Sequence, residues 1–209
     1  MALITVENYR SFMKNMSPEQ KKILTKYFCS SGCLGALTAM KDNQYDALVD
    51  EKVKSLNLKQ RALNKIGLDE SEVNEIAPVN FYGWDDDYGK SNLAGKYGVD
   101  HEFRTSRYQV SYLFFSATQV HLYSYTVDML FNKTTETSEE YFYKDITNFT
   151  TTSDSEEVKV GNKTYTYDKR AFQIVVPGDK MRLAISGMNM EEVERSLQAM
   201  KQKLREKKM

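Results

Sequence analysis

Proline is nearly absent from this chain, with three in 209 residues. That argues against a linker-rich or disordered protein, whose composition leans on proline and polar repeats. Cysteine is equally sparse. Cys29 and Cys33 are the only two, a number that fits a reducing compartment and not a disulfide framework. They stand four apart with Gly32 between them, whereas thiol redox pairs leave a two-residue gap and a structural zinc site needs two more ligands. Two buried, unreactive thiols are the expectation, since free cysteine behaves as a small core hydrophobe. Histidine is also limited to two, His101 and His121, and neither stands in a paired motif. Net charge is missing too, with 29 basic residues against 29 acidic. A balanced chain has no broad positive field for sequence-independent nucleic-acid or membrane binding. No apolar run reaches the ~20 residues of a membrane-spanning helix, and the start MALITVENYR has no basic region leading into an apolar one,. A cytoplasmic protein is expected. Three Asn-x-Thr triplets, at Asn132, Asn148 and Asn162, read as chance matches in a threonine-rich region,.

What the chain has in quantity is tyrosine, 14 of them, within 12% aromatics. They concentrate in 107–152, in the runs RYQVSYLFF, QVHLYSYTVDML and EEYFYKDITNFTT. Such residues suit a pleated, half-buried surface. In the first run Tyr108, Val110, Tyr112 and Phe114 alternate with Gln109, Ser111, Leu113 and Phe115, so its far end should be buried on both faces. Ser116-Ala117-Thr118 makes a turn. In the second run Val120 and Leu122 share one face, and His121, Tyr123, Tyr125 and Val127 the other. A polar loop over 132–138 leads to a third strand carrying Tyr141, Tyr143, Thr147 and Phe149. Shorter strands are expected at 158–160, 163–167, 171–176 and 181–185, with turns at Gly161-Asn162 and Pro177-Gly178-Asp179.

Before these strands, residues 1–77 read as helical. Thr5 can cap a first helix, and Ser17-Pro18-Glu19-Gln20 is a strong start signal in which serine caps, proline takes the first helical position and Gln20 reaches back. Ile23, Leu24, Tyr27 and Phe28 form one stripe; Tyr45, Leu48, Val49, Val53 and Leu56 form another. Asn57 with Gln60 restarts a helix that ends at Gly67 in a left-handed cap, and Asp69–Glu72 caps a short one. Apolar helix faces of this kind usually meet their own core. Val79–Trp84 reads as a strand, and 85–105, with three aspartates and several glycines, as a long loop of the kind that is functional or mobile. The chain closes on a helix capped by Asn189, acidic at its start and basic at its end as the helix dipole favours. Its stripe of Met190, Val193, Leu197, Met200 and Leu204 should plug the open mouth of the sheet.

Seven strands from Arg107 onward and one capped C-terminal helix resemble a pleckstrin-homology-like domain. The phrases YFYKDITNF and PGDKMRLAIS…MEEVERSLQAMKQKL, and the leader MKDNQYDALVDEKVKSLNLKQRALNKIGLDESEV, are similar to bacterial proteins of that group. The resemblance implies an α+β chain: a helical subdomain (1–77), then a seven-stranded antiparallel barrel or sandwich with its C-terminal helix (78–209). It implies binding of a protein, a peptide or a lipid headgroup rather than catalysis; the residues themselves suggest no cofactor, metal or catalytic residue, and no nucleic acid. Members that bind phosphoinositides place Lys and Arg around the first strand–turn–strand. Here that turn is Ser116-Ala117-Thr118-Gln119, and the basic residues nearby are Arg104 and Arg107.

The expected contact surfaces are the loop over 85–99 and the open end of the β domain. The candidate binding residues are Trp84, Asp85, Asp87, His101, Arg104 and Arg107. The alternative is an enzyme or metal-binding protein with its site on 85–102, using His101 and the aspartates. Asp85-Asp86-Asp87 lacks the alternating ligands and terminal glutamate of a calcium loop, and the sequence carries no nucleophile-elbow, phosphate-loop, dinucleotide or zinc-protease motif.

Overall fold

The structure is a computed structural model. It describes residues 3–4, 8–30, 37–73, 79–84, 92–160 and 163–185 and, in the closing segment, 191, 194–195, 197–198, 201–202 and 205–206. In chain order the elements are β1 (Leu3–Ile4), α1 (Pro18–Ile23, continued as a π-helical turn over Leu24–Phe28), α2 (Asp42–Ser55) and α3 (Leu58–Ile66). The strands that follow are β2 (Val79–Trp84), β3 (Leu93–Tyr97), β4 (Phe103–Thr105), β5 (Arg107–Phe115), β6 (Gln119–Asp128), β7 (Glu136–Phe142), β8 (Asn148–Val160), β9 (Lys163–Val176) and β10 (Asp179–Ala184).

The first two of these runs become β5 and β6, paired antiparallel from Arg107↔Asp128 to Phe115↔Val120. With β2 and β7 they make a four-stranded sheet in the order β2-β5-β6-β7. Successive side chains on a strand point to opposite faces, and here both faces are covered. Tyr108, Val110, Phe114, Tyr123, Tyr125 and Val127 join a core with Tyr45, Val49, Leu58, Ala62 and Leu63 of the helices. Leu113, Phe115, Val120 and Leu122 join a second core with Phe172, Ile174, Met181, Leu183 and Leu197. The two-sided burial read in the first run is thus observed. Each large apolar side chain withdrawn this way contributes roughly 1.5–3 kcal/mol. Leu197 is one of the helical residues of the closing segment and is buried in the second core; Asn189, Met190, Val193, Met200 and Leu204 lie outside the described residues.

The second sheet is β10-β9-β8, an antiparallel meander. It approaches the first where β2 has no side chain to interpose. A Cβ on Gly83 would sit 2.7 Å from the Ala184 carbonyl carbon, and the Ala184 N–H donates to Gln109 Oε1 at 2.8 Å.

The fold is α+β, and several finer expectations change. The third run is interrupted: β7 ends at Phe142, a 3-10 turn covers Tyr143–Asp145, and β8 starts at Asn148. Tyr143 and Ile146 are buried at this corner, so their apolar character mimicked strand alternation. The segment 132–138 is a loop only to Thr135, since β7 begins at Glu136. The short strands at 158–160, 163–167 and 171–176 are parts of two long ones, β8 and β9; their connecting turn Gly161-Asn162 lies outside the described residues. Among the described residues six strands, not seven, follow from Arg107. Among the described residues the strands close into no barrel.

The segment 85–105 is not one loop. β3 and β4 form an antiparallel hairpin, and β1 adds to β3 in parallel. Gly95 belongs there because a Cβ would meet the Phe103 ring at 2.8 Å. At the N-terminus, Tyr9–Asn15 is a 3-10 helix with Asn8 at its cap, and Thr5 lies outside the described residues. Ser17 makes the expected capping box. Asn57 takes a left-handed conformation (φ 44°) and makes no side-chain cap, whereas Gly67 has the expected left-handed geometry (φ 72°).

Candidate functional site

The helices are fastened to the sheets by a few polar contacts, and those contacts account for one of the candidate residues, Arg104. Arg104 on β4 donates from Nε and Nη2 to the Asp46 carboxylate of α2 at 2.7 and 2.9 Å. From Nη1 and Nη2 it also donates to Asp100, at 2.9 and 2.7 Å. Paired parallel bonds of this kind are the strong geometry for guanidinium and carboxylate. They push the Arg104 pKa up and hold Asp100 down at about 2. The guanidinium is thereby consumed as a clasp. Nearby, Asp42 is buried and accepts from the Tyr27 hydroxyl at 3.0 Å and from the Val99 N–H at 2.9 Å. Tyr27 stacks on Tyr45 at 4.1 Å, with Lys96 Nζ 4.2 Å from the Tyr27 ring centre. The Tyr45 hydroxyl donates to the Thr105 carbonyl at 2.7 Å. On α3, Arg61 grips Glu136 of β7 at 2.8 and 2.7 Å, and Tyr123 donates to the same carboxylate at 2.9 Å.

His101 is exposed at the tip of the β3–β4 hairpin, with φ 65° and its ring 6.4 Å from Tyr97. Trp84 ends β2 opposite Tyr108; Asp85 and Asp87 lie outside the described residues. Of the described candidates, Arg104 is held in the clasp and His101 stands at the hairpin tip. His121 is buried. Its Nε2 lies 3.3 Å from Ser116 Oγ and its Nδ1 3.8 Å from Glu140; desolvation lowers its pKa. Ser116 Oγ is engaged in its own turn, accepting from the Gln119 N–H at 3.3 Å. Cys29 is a buried free thiol whose pKa desolvation pushes up to about 11; Cys33 lies outside the described residues.

Arg107 does lead to a cavity. Its Nε is 3.8 Å from Oδ2 of Asp128, its cross-strand partner at the end of β6. Asp128 is buried, and its Oδ1 accepts the N–H groups of Leu130 and Phe131 at 2.9 Å each, turning the chain out of the sheet. That turn brings Asn132 to the start of α1. Gln20 serves two ends there. Its Oε1 accepts from the Ser17 N–H at 2.8 Å, completing the cap, and its Nε2 donates to Asn132 Oδ1 at 3.0 Å.

A cavity opens on either side of this bridge, and Gln20, Asp128 and Asn132 line both. One, of about 300 Å³, lies between α1 and α2. Ser17, Glu19, Glu51, Lys52 and Ser55 give it a polar wall, with Ile23, Leu48 and Met129 at its base. The other, of about 450 Å³, is walled by Phe12, Met16, Leu130 and Phe131, with Ser11, Asn15, Asn92 and Lys133 around it. Together they form a two-compartment cleft, one side polar and mainly acidic, the other apolar, with carboxamides between. A carboxamide offers one acceptor and an NH₂ donor group, the complement of a peptide unit. Sequence reasoning found the cap at Ser17 and Gln20 but not the cleft, whose other wall is more than a hundred residues away.

Among the described residues no three His, Cys, Asp or Glu side chains are placed to hold a metal ion, and no helix is long and apolar enough to cross a membrane. No protein-family model, curated protein or solved structure matches this chain.

Proposed function

We propose that the protein is a binding module that takes an extended peptide segment of a partner protein in the cleft divided by Gln20 and Asn132. The observation that carries this reading is the bridge itself. It places a carboxamide pair, able to donate and to accept, between an apolar compartment and a polar one. Sites that combine apolar walls with a few placed polar groups are the usual form of a ligand pocket. Glu19, Glu51 and Asp128 on the polar side favour a peptide over a phosphorylated lipid headgroup, which carboxylates would repel,.

A pleckstrin-homology-like architecture is supported by strand order. With β2 as the first strand and the β3–β4 hairpin as an insertion, β2, β5, β6 and β7 make one sheet, β8, β9 and β10 the other, and Leu197 packs between them. In this reading the helical leader supplies the binding cleft to a fold that elsewhere serves interaction.

The test is selection of a displayed random-peptide library on the intact protein, followed by titration of the selected peptides against two variants. Ser55→Trp fills the polar compartment and Asn15→Trp the apolar one. Both positions are exposed, so the fold should tolerate the change. The reading expects selected peptides to lose tenfold or more in affinity for both variants. Peptides that bind both variants as tightly as the parent would overturn it.

A further inference from the structure

The polar compartment of the cleft is layered. Its base is apolar, made of Ile23, Leu48 and Met129, and Glu19, Glu51, Lys52 and Ser55 stand around it. Ile23 and Met129 are buried, whereas all four polar residues are exposed. The carboxylates that line it differ in what they already hold. Asp128 is committed, accepting from the Leu130 and Phe131 N–H groups and facing Arg107. The side chains of Glu19 and Glu51 make no hydrogen bond or ion pair among the described residues. Lys52 is the only cation among the described residues that line the compartment. Two uncommitted carboxylates therefore face one ammonium around an apolar floor.

Given a peptide in the cleft, as proposed above, we infer that the side chain it places in the polar compartment is a lysine or an arginine. These residues lay their methylene stems along apolar surface and keep the charged head in water. Here the stem lies on Ile23, Leu48 and Met129, and the head reaches Glu19 and Glu51 at the mouth. A bare cation would leave the apolar floor unused, and an apolar side chain would leave both carboxylates unanswered. Opposite charges across an interface also select the partner, because like charges are rejected there. The other compartment, walled by Phe12, Met16, Leu130 and Phe131, takes an apolar side chain of the same segment. Methionine in such a wall adapts to several shapes, so the basic position is the selective one.

Peptides selected from the displayed random library on the intact protein are expected to share one lysine or arginine. Exchanging that residue for methionine keeps the stem, removes the charge and alters only the peptide, so folding of the protein does not enter. The exchange is expected to weaken binding about fivefold or more, the upper end for an exposed ion pair. Glu19→Gln combined with Glu51→Gln is expected to weaken the basic peptide equally and its methionine form not at all, with circular dichroism confirming the fold. Selection repeated on Glu19→Gln with Glu51→Lys is expected to replace the basic residue by Asp or Glu. Selected peptides that share no basic residue, yet are weakened by Ser55→Trp and Asn15→Trp, would overturn this specificity and leave the cleft as a peptide site. Basic peptides indifferent to both the methionine exchange and the paired glutamine substitutions would overturn it as well. A library that yields no binder, or binders indifferent to both tryptophan variants, would remove the peptide cleft and this specificity together.

Discussion

Gln20 and Asn132, far apart in the sequence, are joined by a 3.0 Å hydrogen bond that is at once a helix cap support and the wall between two cavities. A double-mutant cycle isolates it. Gln20→Ala alone should cost about 1 kcal/mol through the lost cap and the lost bridge. The coupling between Gln20→Ala and Asn132→Ala, read from urea unfolding, should be about 0.5–1 kcal/mol. Strictly additive single effects would mean that the bridge contributes nothing.

Arg104→Met tests the clasp that holds α2 to the β3–β4 hairpin. Arg104 is largely buried while Asp46 and Asp100 are half-exposed, so both carboxylates can rehydrate. The expected loss is about 1.5–3 kcal/mol, the range for hydrogen bonds to charged groups. A midpoint of urea unfolding that does not move would show the clasp to be decorative.

The same contacts set an acid limit. Hydrogen bonds from Arg104 hold the Asp100 carboxyl down from 3.8 to about 2, and those from Arg61 hold Glu136 down from 4.5 to about 2. A carboxylate depressed in the folded state favours folding above its ordinary pKa, and that contribution fades as pH falls through the folded value. Stability should therefore drop between about pH 4.5 and pH 2. Arg104→Met should flatten the part due to Asp100, and Arg61→Met the part due to Glu136. Both carboxylates lie near solvent, so added salt should weaken the dependence. Identical pH profiles for wild type and both variants would contradict this account.

Gly83→Ala probes the seam between the sheets. The new methyl would meet backbone atoms of Ala184 and Ile185 at 2.7–2.9 Å, and backbone cannot rotate away as a side-chain tip can. Overpacking of this kind costs about 1–3 kcal/mol. A neutral effect on thermal unfolding would mean that the sheets separate freely at this point.

Cys29 should be slow to react. In a Cys33→Ser variant, which leaves one thiol, a disulfide reagent at pH 8 should label the protein slowly when folded and at once in urea, because burial both raises the thiol pKa and blocks access,. Fast labelling of the folded protein would contradict the burial.

What the sequence made legible was local or periodic. Ser17 and Gln20 are three apart, and their cap could be read directly. The alternation over 108–127 gave both faces of the central sheet, and the inward Tyr45–Val49 stripe was right because helix period is a property of neighbours. What escaped was long-range. Nothing near Gln20 points to Asn132, and nothing near Arg104 points to Asp46. Tyr143 and Ile146 continued a strand-like pattern through a corner, because a buried turn needs apolar residues as a strand does. Gly95 suggested a loop, although its glycine exists to admit the Phe103 ring beside a strand.

The central claim is that the Gln20–Asn132 cleft is where a partner peptide binds. Side-chain amide signals in a nitrogen–proton NMR correlation spectrum report on it directly. Adding a library-selected peptide to the labelled protein should shift the carboxamide resonances of Gln20, Asn132 and Asn15 most. Shifts confined to the β8–β9 hairpin or to the β3–β4 tip, with those three carboxamides unmoved, would contradict it.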